Sequence, residues 1–388
     1  MLETIRKIAE EIGPELDELS KNIYDNPELG YEEFKAAAWH TELLEKHGFD
    51  VEKNTLDLPT AFVATFDSGK PGLKVAFLSE YDALPSIGHG CGHNILGATS
   101  TGAGIALSRV IDKVGGKVVV FGTPAEETSG AKVLFAEAGL FDDCDLALMA
   151  HPAAGYTRSG SSLALVPVQF EFFGKTAHAA SQPWDGVNAL DAALLTMNGV
   201  NALREHMLPT SRVHGVIIKG GEAANIVPEY TQLQYYVRSL MKSYNEELVE
   251  KVSRCAEAGA LATGCTLKVS RYELPYDNLI SNETMNDVFS EALYELSGIE
   301  IQPPKADTGS LDAGQVSHIC PTIHPYFDVT DGRHVAGHTR ELAECTLSDY
   351  AKQQMRNTLS ALALTAYRIM EDPQLYKKVK EEFENTPK

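Results

Sequence analysis

Short apolar runs alternate with helical patterns along the first part of the chain. The runs at 73–78, 117–122 and 146–150 have the length of buried strands. Residues 97–114, rich in small and apolar side chains, predict a buried helix between the first two runs. Two helices are also predicted upstream, with a break at 27–30. Strands that alternate with helices in this way predict an α/β domain with a mostly parallel sheet.

The pattern changes after about residue 162, where apolar positions begin to alternate with polar ones. The predicted elements are strand, helix, strand, strand, helix and strand, at 166–173, 187–206, 212–219, 230–240, 245–262 and 267–274. This order is typical of a ferredoxin-like α+β unit. Since 388 residues exceed the usual size of one domain, we predict two. They are a discontinuous α/β domain at 1–162 and 276–388 and an inserted ferredoxin-like domain at 163–275.

The charge of the chain excludes several classes of partner. A formal net charge of −21 argues against binding to nucleic acid, whose phosphate backbone needs a basic surface. It also argues against an anionic membrane surface, and no apolar stretch has the length of a bilayer span. A mildly basic substrate is compatible with the acidic chain.

The N-terminal residues and the cysteines bear on the cellular location. The first residues lack a basic region followed by an apolar run, so no signal peptide is predicted. The six cysteines are scattered, and none forms a Cys-x-x-Cys pair. This usage is typical of a reduced protein without disulfides, so we expect a cytoplasmic location.

Residues able to bind a metal ion or to act as a base follow the predicted strands. They are Glu80 and Asp82 after the first strand, Glu126 and Glu127 after the second, and His151 after the third. The carboxyl ends of the strands are where an open α/β sheet binds ligands. Singly, such residues are usually solvated carboxylates or core histidines. Their convergence on one edge of a sheet predicts a metal site.

A glycine-rich loop adds thiolate and imidazole donors. Its sequence is Gly88-His89-Gly90-Cys91-Gly92-His93-Asn94. Glycine allows a loop to fold closely around a small object, and zinc and its neighbours prefer thiolate and imidazole ligands. Taken alone, the loop is also compatible with a turn whose side chains only pack. His338, in a later loop, is a further candidate ligand.

The adjacent pair Glu126 and Glu127 suggests a division of roles. Neighbouring residues in an extended or turning backbone point in different directions. One carboxylate can therefore bind a metal ion while the other faces the substrate as a general base, taking a proton from water and passing it to a leaving amine.

Three motifs carry a resemblance to a known family. They are Cys91-Gly92-His93-Asn94, Pro124-Ala125-Glu126-Glu127 and Glu80-Tyr81-Asp82-Ala83-Leu84-Pro85. Together they resemble the metal-dependent peptidase and amidohydrolase family that contains aminoacylase, carboxypeptidase G and the indole-acetyl-amino-acid hydrolases. Within it the chain is most similar to the branch of the B-type aminobenzoyl-glutamate-utilisation proteins, which also includes dipeptidases acting on basic dipeptides. The resemblance covers nearly the whole chain.

The resemblance implies a site for two divalent metal ions, with Glu126 as the general base. The implied ligands are Cys91, His93, Glu127, His151 and His338. The thiolate favours zinc. Manganese is the alternative, because the geometry of a site and the availability of each metal override the intrinsic affinity of the ligands.

For the inserted domain, the resemblance implies a lid through which the protein forms a homodimer. His178 matches a histidine that stabilises the oxyanion, and we expect it to act on the active site of the partner subunit. Asn225 and Arg238 match residues that contact the substrate, commonly its carboxylate.

The chain also departs from the family pattern. Glu80 and Asp82 stand where many relatives have a His-x-Asp pair, so Asp82 is expected to orient a ligand and the role of Glu80 is open. Asn94 replaces a commoner Asp, and residues 309–312 differ from the segment that relatives place near the substrate.

The function implied is hydrolysis of the amide bond of an N-acyl amino acid or a dipeptide, of the aminobenzoyl-glutamate type. A dipeptidase for basic dipeptides is the alternative enzyme. A non-catalytic binding subunit is the alternative of another class, and the presence of Glu126 and of all five implied ligands argues against it.

Overall fold

The computed structural model describes residues 1–304 and 309–388, which form two compact units. The first unit contains Met1–Ser161, Leu311–Pro387 and the described residues from Leu279 to 304. The second unit contains Ser162–Asn278 with Gly309 and Ser310. Among the described helices, none combines the length and the apolar character needed to cross a membrane.

The described part of the chain forms both helices and strands. The helices are α1 (Leu2–Asp25), α2 (Phe34–Lys46), α3 (His93–Ser108), α4 (Ala131–Glu137), α5 (Ala189–Leu203), α6 (Lys242–Thr263), α7 (Glu283–Ser297), α8 (Ala313–Ser317), α9 (Arg340–Cys345), α10 (Asp349–Glu371) and α11 (Pro373–Asn385). The strands are β1 (Asp50–Lys53), β2 (Phe62–Asp67), β3 (Lys74–Ser79), β4 (Lys117–Gly122), β5 (Leu146–Leu148), β6 (His151–Ala153), β7 (Ala164–Phe173), β8 (Arg212–Lys219), β9 (Tyr230–Ser239), β10 (Thr266–Ser270), β11 (Thr322–Ile323) and β12 (Tyr326–Asp328).

The first unit is built on a six-stranded sheet with the order β1-β2-β4-β3-β5-β11. The neighbours β4, β3, β5 and β11 pair in parallel, as predicted, and their buried residues form an almost continuous apolar layer. At the other edge β1 and β2 pair antiparallel, because the short connection between them folds the chain back as a hairpin. The α/β class is confirmed, with a sheet that is mixed at one edge.

The second unit has a four-stranded antiparallel sheet with the order β10-β7-β9-β8. When the strands are numbered in chain order, they lie side by side as fourth, first, third and second. This is the arrangement of a ferredoxin-like unit, so the prediction of such a unit is confirmed. Along β9, buried residues alternate with partly exposed ones, as expected for a sheet covered on one face. The buried face packs with α5 and α6 around Phe170, Phe172 and Leu233.

Helix α3 is buried along its whole length and carries a candidate ligand at its first residue. The prediction of a helix at 97–114 was wrong at both ends, since α3 begins at His93 and ends at Ser108. Gly92 precedes it with a φ of 78°, a left-handed backbone that glycine adopts without a steric penalty. A Cβ at Gly102 would lie 2.5 Å from Leu16 Cδ1, which shows how closely α3 packs against α1.

Candidate metal centre

The candidate residues lie at the carboxyl ends of parallel neighbours in the first unit. Glu80 and Asp82 follow β3, Glu126 and Glu127 follow β4, and His151 begins β6 shortly after β5. Because β3 pairs in parallel with both β4 and β5, these ends meet at one edge of the sheet. The glycine-rich loop reaches the same edge and leads directly into α3.

The five candidate ligands form two groups that share one thiol. In each group the ligand atoms lie within 4.8 Å of one another. The first group is Cys91, His93 and His151, and the second is Cys91, Glu127 and His338. The Sγ atom of Cys91 lies 3.5 Å from His151 Nε2, and His338 Nε2 lies 3.5 Å from Glu127 Oε2. All five residues that the sequence singled out as ligands are thus brought together.

Two side-chain atoms of these candidate ligands are buried and have no hydrogen-bond partner within the described part of the chain. They are Nε2 of His93 and Oε1 of Glu127. Buried polar side-chain atoms are nearly always hydrogen-bonded, so each exception needs an explanation. A thiol, three imidazoles and a carboxylate are donors that bind zinc and similar ions. The donor set therefore fits the metal ions that the family resemblance implies.

Asp82 connects two of the ligands. Its Oδ1 lies 2.8 Å from His93 Nδ1, and its Oδ2 accepts the backbone N–H of Glu127 at 2.9 Å. A carboxylate on Nδ1 keeps the proton on that nitrogen and leaves Nε2 as the ligand atom. One buried carboxylate thus fixes the orientation of His93 and the backbone position of Glu127.

A buried lysine lies beneath the centre. The Nζ atom of Lys132 is 2.7 Å from Glu80 Oε1 and 2.7 Å from Asp312 Oδ1. The second oxygen of Glu80, Oε2, lies 3.4 Å from His93 Nε2. All three charged residues of this network are buried. Sequence reasoning did not find Lys132; its only signal is a charge within the otherwise apolar start of α4, at 131–135.

The charges of this network shift the neighbouring carboxyl groups in opposite directions. Burial raises the pKa of Glu80, but the Lys132 ammonium and the nearby histidines outweigh burial and lower it to about 2. Burial and the charge of Glu80 raise the pKa of Asp312, because one ammonium does not compensate two carboxylates. Burial, followed by the charges of Glu80 and Asp312, also raises the pKa of Glu126 well above its usual range. Burial and the neighbouring carboxylates thus oppose the ionised form of Glu126, an effect that a cation bound nearby would offset.

The other predicted site residues lie in the second unit. His178 is exposed, and its Nδ1 accepts the backbone N–H groups of Ala180 and Ser181 at 3.2 and 3.3 Å. The neutral ring therefore carries its proton on Nε2, which is the nitrogen able to donate to a substrate. The backbone carbonyl of Asn225 accepts the N–H of Ala179 at 3.0 Å, so Asn225 lies close to His178.

Arg238 occupies a different place in the second unit, on β9. Its Nη1 donates to Ser310 Oγ at 3.1 Å, and its guanidinium lies over the ring of Tyr236 at 5.3 Å from the centroid. These contacts hold the side chain in a fixed direction.

The first unit is an α/β unit with paired carboxylates, imidazoles and a thiol at the edge of its sheet, and the ferredoxin-like unit is inserted into its sequence. This combination defines a metal-dependent peptidase or amidohydrolase. Residues 165–263 match the model of the peptidase dimerisation domain of the M20 family. The chain is 38% identical to the Xaa-Arg dipeptidase of Mus musculus, over 98% of this chain and 90% of that relative. The chain belongs to the M20 peptidase family and is a hydrolase. The resemblance inferred from the three motifs is confirmed.

Two further likenesses bear on the activity and on the fold. The chain is 34% identical to the B component of the p-aminobenzoyl-glutamate hydrolase of Escherichia coli, over 71% of this chain and 61% of that relative. A Bacillus subtilis structure described as a dinuclear metal binding peptidase of the M20 family matches with a TM-score of 0.70. At 18% identity, covering 92% of this chain and 99% of that one, it shows the common fold.

Proposed function

We propose that this hydrolase cleaves the amide bond that joins an aminoacyl or acyl group to a C-terminal amino acid, with dipeptides of the Xaa-Arg type as the first substrates to test. The observation that supports this most is the pair of ligand groups sharing Cys91, with Glu126 beside them. The name of the mouse relative supports the Xaa-Arg dipeptides, and that relative matches along 90% of its length. The name of the E. coli relative supports p-aminobenzoyl-glutamate as the second candidate.

In this proposal two divalent metal ions occupy the two groups. The first group, Cys91, His93 and His151, would hold one ion, and the second group, to which Glu127 and His338 belong, would hold the other. When bound, the ions polarise the substrate carbonyl and lower the pKa of water. Zinc suits the thiolate, and manganese is the second candidate.

Glu126 is the general base in this proposal. Its Oε2 lies 4.0 Å from His93 Nε2, and its carboxylate also groups with Glu80 and His93 as a set that could hold an ion. In this proposal Glu126 acts on water and is not a ligand. It takes a proton from the attacking water and transfers the proton to the leaving nitrogen.

The second unit acts as the lid and the dimerisation domain. Strand β8 forms an edge of its sheet and exposes Val216, Ile217 and Ile218, with 57%, 41% and 51% of their surfaces accessible. An apolar edge strand is a template for pairing with another chain, and the match to a dimerisation domain supports a homodimer. His178 then donates to the oxyanion in the partner subunit, while Asn225 and Arg238 contact the substrate.

The activity is tested on protein freed of metal and reloaded with zinc or manganese. Xaa-Arg dipeptides, p-aminobenzoyl-glutamate and simple N-acyl amino acids are assayed for the released amino acid. Glu126→Gln should keep both metal ions and lose about a hundredfold or more in turnover. Glu137→Gln, which changes an exposed carboxylate on α4, is the matched control. A wild-type protein that binds these compounds and hydrolyses none would support the alternative of a non-catalytic binding protein.

The role of His178 is tested by subunit mixing. Homodimers of Glu126→Gln and of His178→Ala should each be nearly inactive. After random exchange, one site in each mixed dimer combines an intact Glu126 with a donated His178, so about a quarter of the wild-type activity returns. Absence of recovery after verified exchange would show that His178 does not act on the partner.

A further inference from the structure

The segment 27–33, between α1 and α2, contacts both loops that carry the paired carboxylates. The backbone N–H of Ala83 donates to the Glu28 carbonyl at 2.9 Å, in the loop after β3. In the loop after β4, the Ala125 N–H donates to Glu33 Oε1 at 2.8 Å, and the Tyr31 hydroxyl donates to a backbone carbonyl at residue 129. The segment therefore connects the two loops from outside the metal centre.

The packing between this segment and the second loop is close. A Cβ atom at Gly30 would lie 2.8 Å from Ala125 Cβ and 2.9 Å from Thr128 Oγ1. No side chain fits at position 30 unless the loop moves. The glycine thus allows the segment to approach the turn that precedes Glu126.

Ala125 has an unusual backbone conformation. Its φ is 64°, in the left-handed region, and the residue is fully buried. This region is unfavourable for residues with a Cβ atom, and single strained residues persist where the surrounding structure holds them. Glu126 and Glu127 follow immediately, so relaxation of Ala125 would redirect both carboxylates.

Glu33 is completely buried, and both of its oxygens are used. Oε1 accepts the Ala125 N–H, and Oε2 accepts the hydroxyl of Thr60 at 2.8 Å. Burial, followed by the charge of Asp82, raises the pKa of Glu33 to about 7. Burying a carboxyl group is unfavourable, which makes a purely space-filling role for Glu33 a poor explanation.

We propose that Glu33 is a positioning residue that, by accepting the Ala125 N–H, holds the left-handed turn from which Glu126 and Glu127 reach the metal centre. This inference rests on the proposed function of those two carboxylates. The hydrogen bond, the closely packed Gly30 and the strained Ala125 all act on the same turn. Without the acceptor, the turn relaxes, Glu126 moves away from the reacting atoms, and Glu127 binds metal less well.

The test compares two replacements of Glu33 at saturating metal. Glu33→Met has a similar length but no acceptor, whereas Glu33→Gln keeps a carbonyl oxygen for the Ala125 N–H. We expect Glu33→Met to lose about tenfold or more in kcat per folded subunit, with KM changed less than about twofold, and Glu33→Gln to retain most of kcat. Glu32→Gln, a neighbouring exposed carboxylate, is the control.

A second substitution separates positioning from stability. Glycine adopts a φ of 64° without a holding contact, so Ala125→Gly added to Glu33→Met should restore part of the lost kcat. A structural role alone would lower the melting temperature of Glu33→Met and leave its kcat per folded subunit unchanged. That result, or equal losses in the Met and Gln variants, would overturn the inference. Should Glu33→Met not fold, Gly30→Ala displaces the same turn and is expected to lower kcat.

Metal affinity distinguishes failure of this inference from failure of the proposed function. Glu33→Met should weaken metal binding in a competition titration by about tenfold or more, and Glu33→Gln should not. If the wild-type protein has no activity on any of the compounds, the proposed function is refuted. The comparison of metal affinities would still test the positioning role of Glu33. Equal metal affinities in the wild type and both variants would then overturn the positioning role.

Discussion

Replacing Asp82 by Asn tests how the metal ligands are held in place. In the wild type, one oxygen of Asp82 faces His93 Nδ1 at 2.8 Å and the other accepts the Glu127 N–H at 2.9 Å. Asparagine has almost the same shape but only one oxygen, and its NH₂ group cannot accept a hydrogen bond. The Asp82 backbone carbonyl also lies 3.1 Å from His93 Nδ1. In Asp82→Asn the NH₂ group therefore either faces His93, which keeps only that carbonyl as acceptor, or leaves the Glu127 N–H without an acceptor.

The size of the effect follows from these two contacts. A buried donor left without an acceptor costs about 1 to 3 kcal/mol. Loss of a partner that orients a metal ligand typically weakens metal binding by about 10- to 100-fold, which corresponds to about 1.4 to 2.7 kcal/mol. The two ranges agree, so we expect the metal dissociation constant of Asp82→Asn to rise by about 10- to 100-fold.

The assay is a competition titration of the metal-free protein against a chromophoric chelator. Asp142→Asn makes the same chemical change at an exposed position and should bind metal like the wild type. Circular dichroism of the metal-free variants checks that both fold. A dissociation constant for Asp82→Asn within about twofold of the wild type would refute the reasoning, because both N–H groups would then have found other acceptors.

Three further predictions concern the charges and the surface. Burial raises the pKa of the Cys91 thiol to about 12. Burial lowers the pKa of His93, but its contacts with Asp82 and Cys91 together outweigh burial and raise that pKa. Both groups hold protons that metal displaces, so metal affinity should increase with pH, and Cys91→Ala should release fewer protons per metal ion in a pH-stat titration. Lys132→Met leaves two buried carboxylates without their cation and should lower the free energy of urea unfolding by about 3 to 5 kcal/mol. The double variant Lys132→Met with Asp312→Asn should recover part of that lost stability. Ile217→Lys, on the exposed edge strand β8, should give a monomer by light scattering, and an unchanged dimer would move the interface elsewhere.

The sequence was sufficient to predict the fold class and to predict that the candidate ligands lie close together. Parallel strands place their carboxyl ends side by side, so residues that follow separate strands, such as Glu127 and His151, were expected at one edge. The ferredoxin-like order of the second unit followed equally directly from its pattern of strands and helices. In both cases local periodicity and chain order determine the arrangement.

Other features depend on packing that no local pattern reveals. Lys132 belongs to a buried network only because α4 places it between Glu80 and Asp312, which are far from it in sequence. The role of Glu33 depends on a turn 92 positions away, and a carboxylate at the start of a helix normally indicates only a solvated first turn. The early start of α3 was missed because Gly92 suggested a loop, whereas its left-handed backbone turns the chain directly into the helix.

The complete burial of α3 has a consequence for how this protein can change during evolution. A helix with one solvent-exposed face tolerates neutral substitutions there, but α3 is buried at every residue and begins with His93. A substitution that loosens its packing against α1 or β4 also shifts a residue of the metal centre. Selection for a stable core and selection for metal binding therefore act on the same positions. We expect mutational drift to be slowest in this helix and to proceed more freely on exposed surfaces such as that of α11, whose residues other than Val379 are exposed or partly exposed.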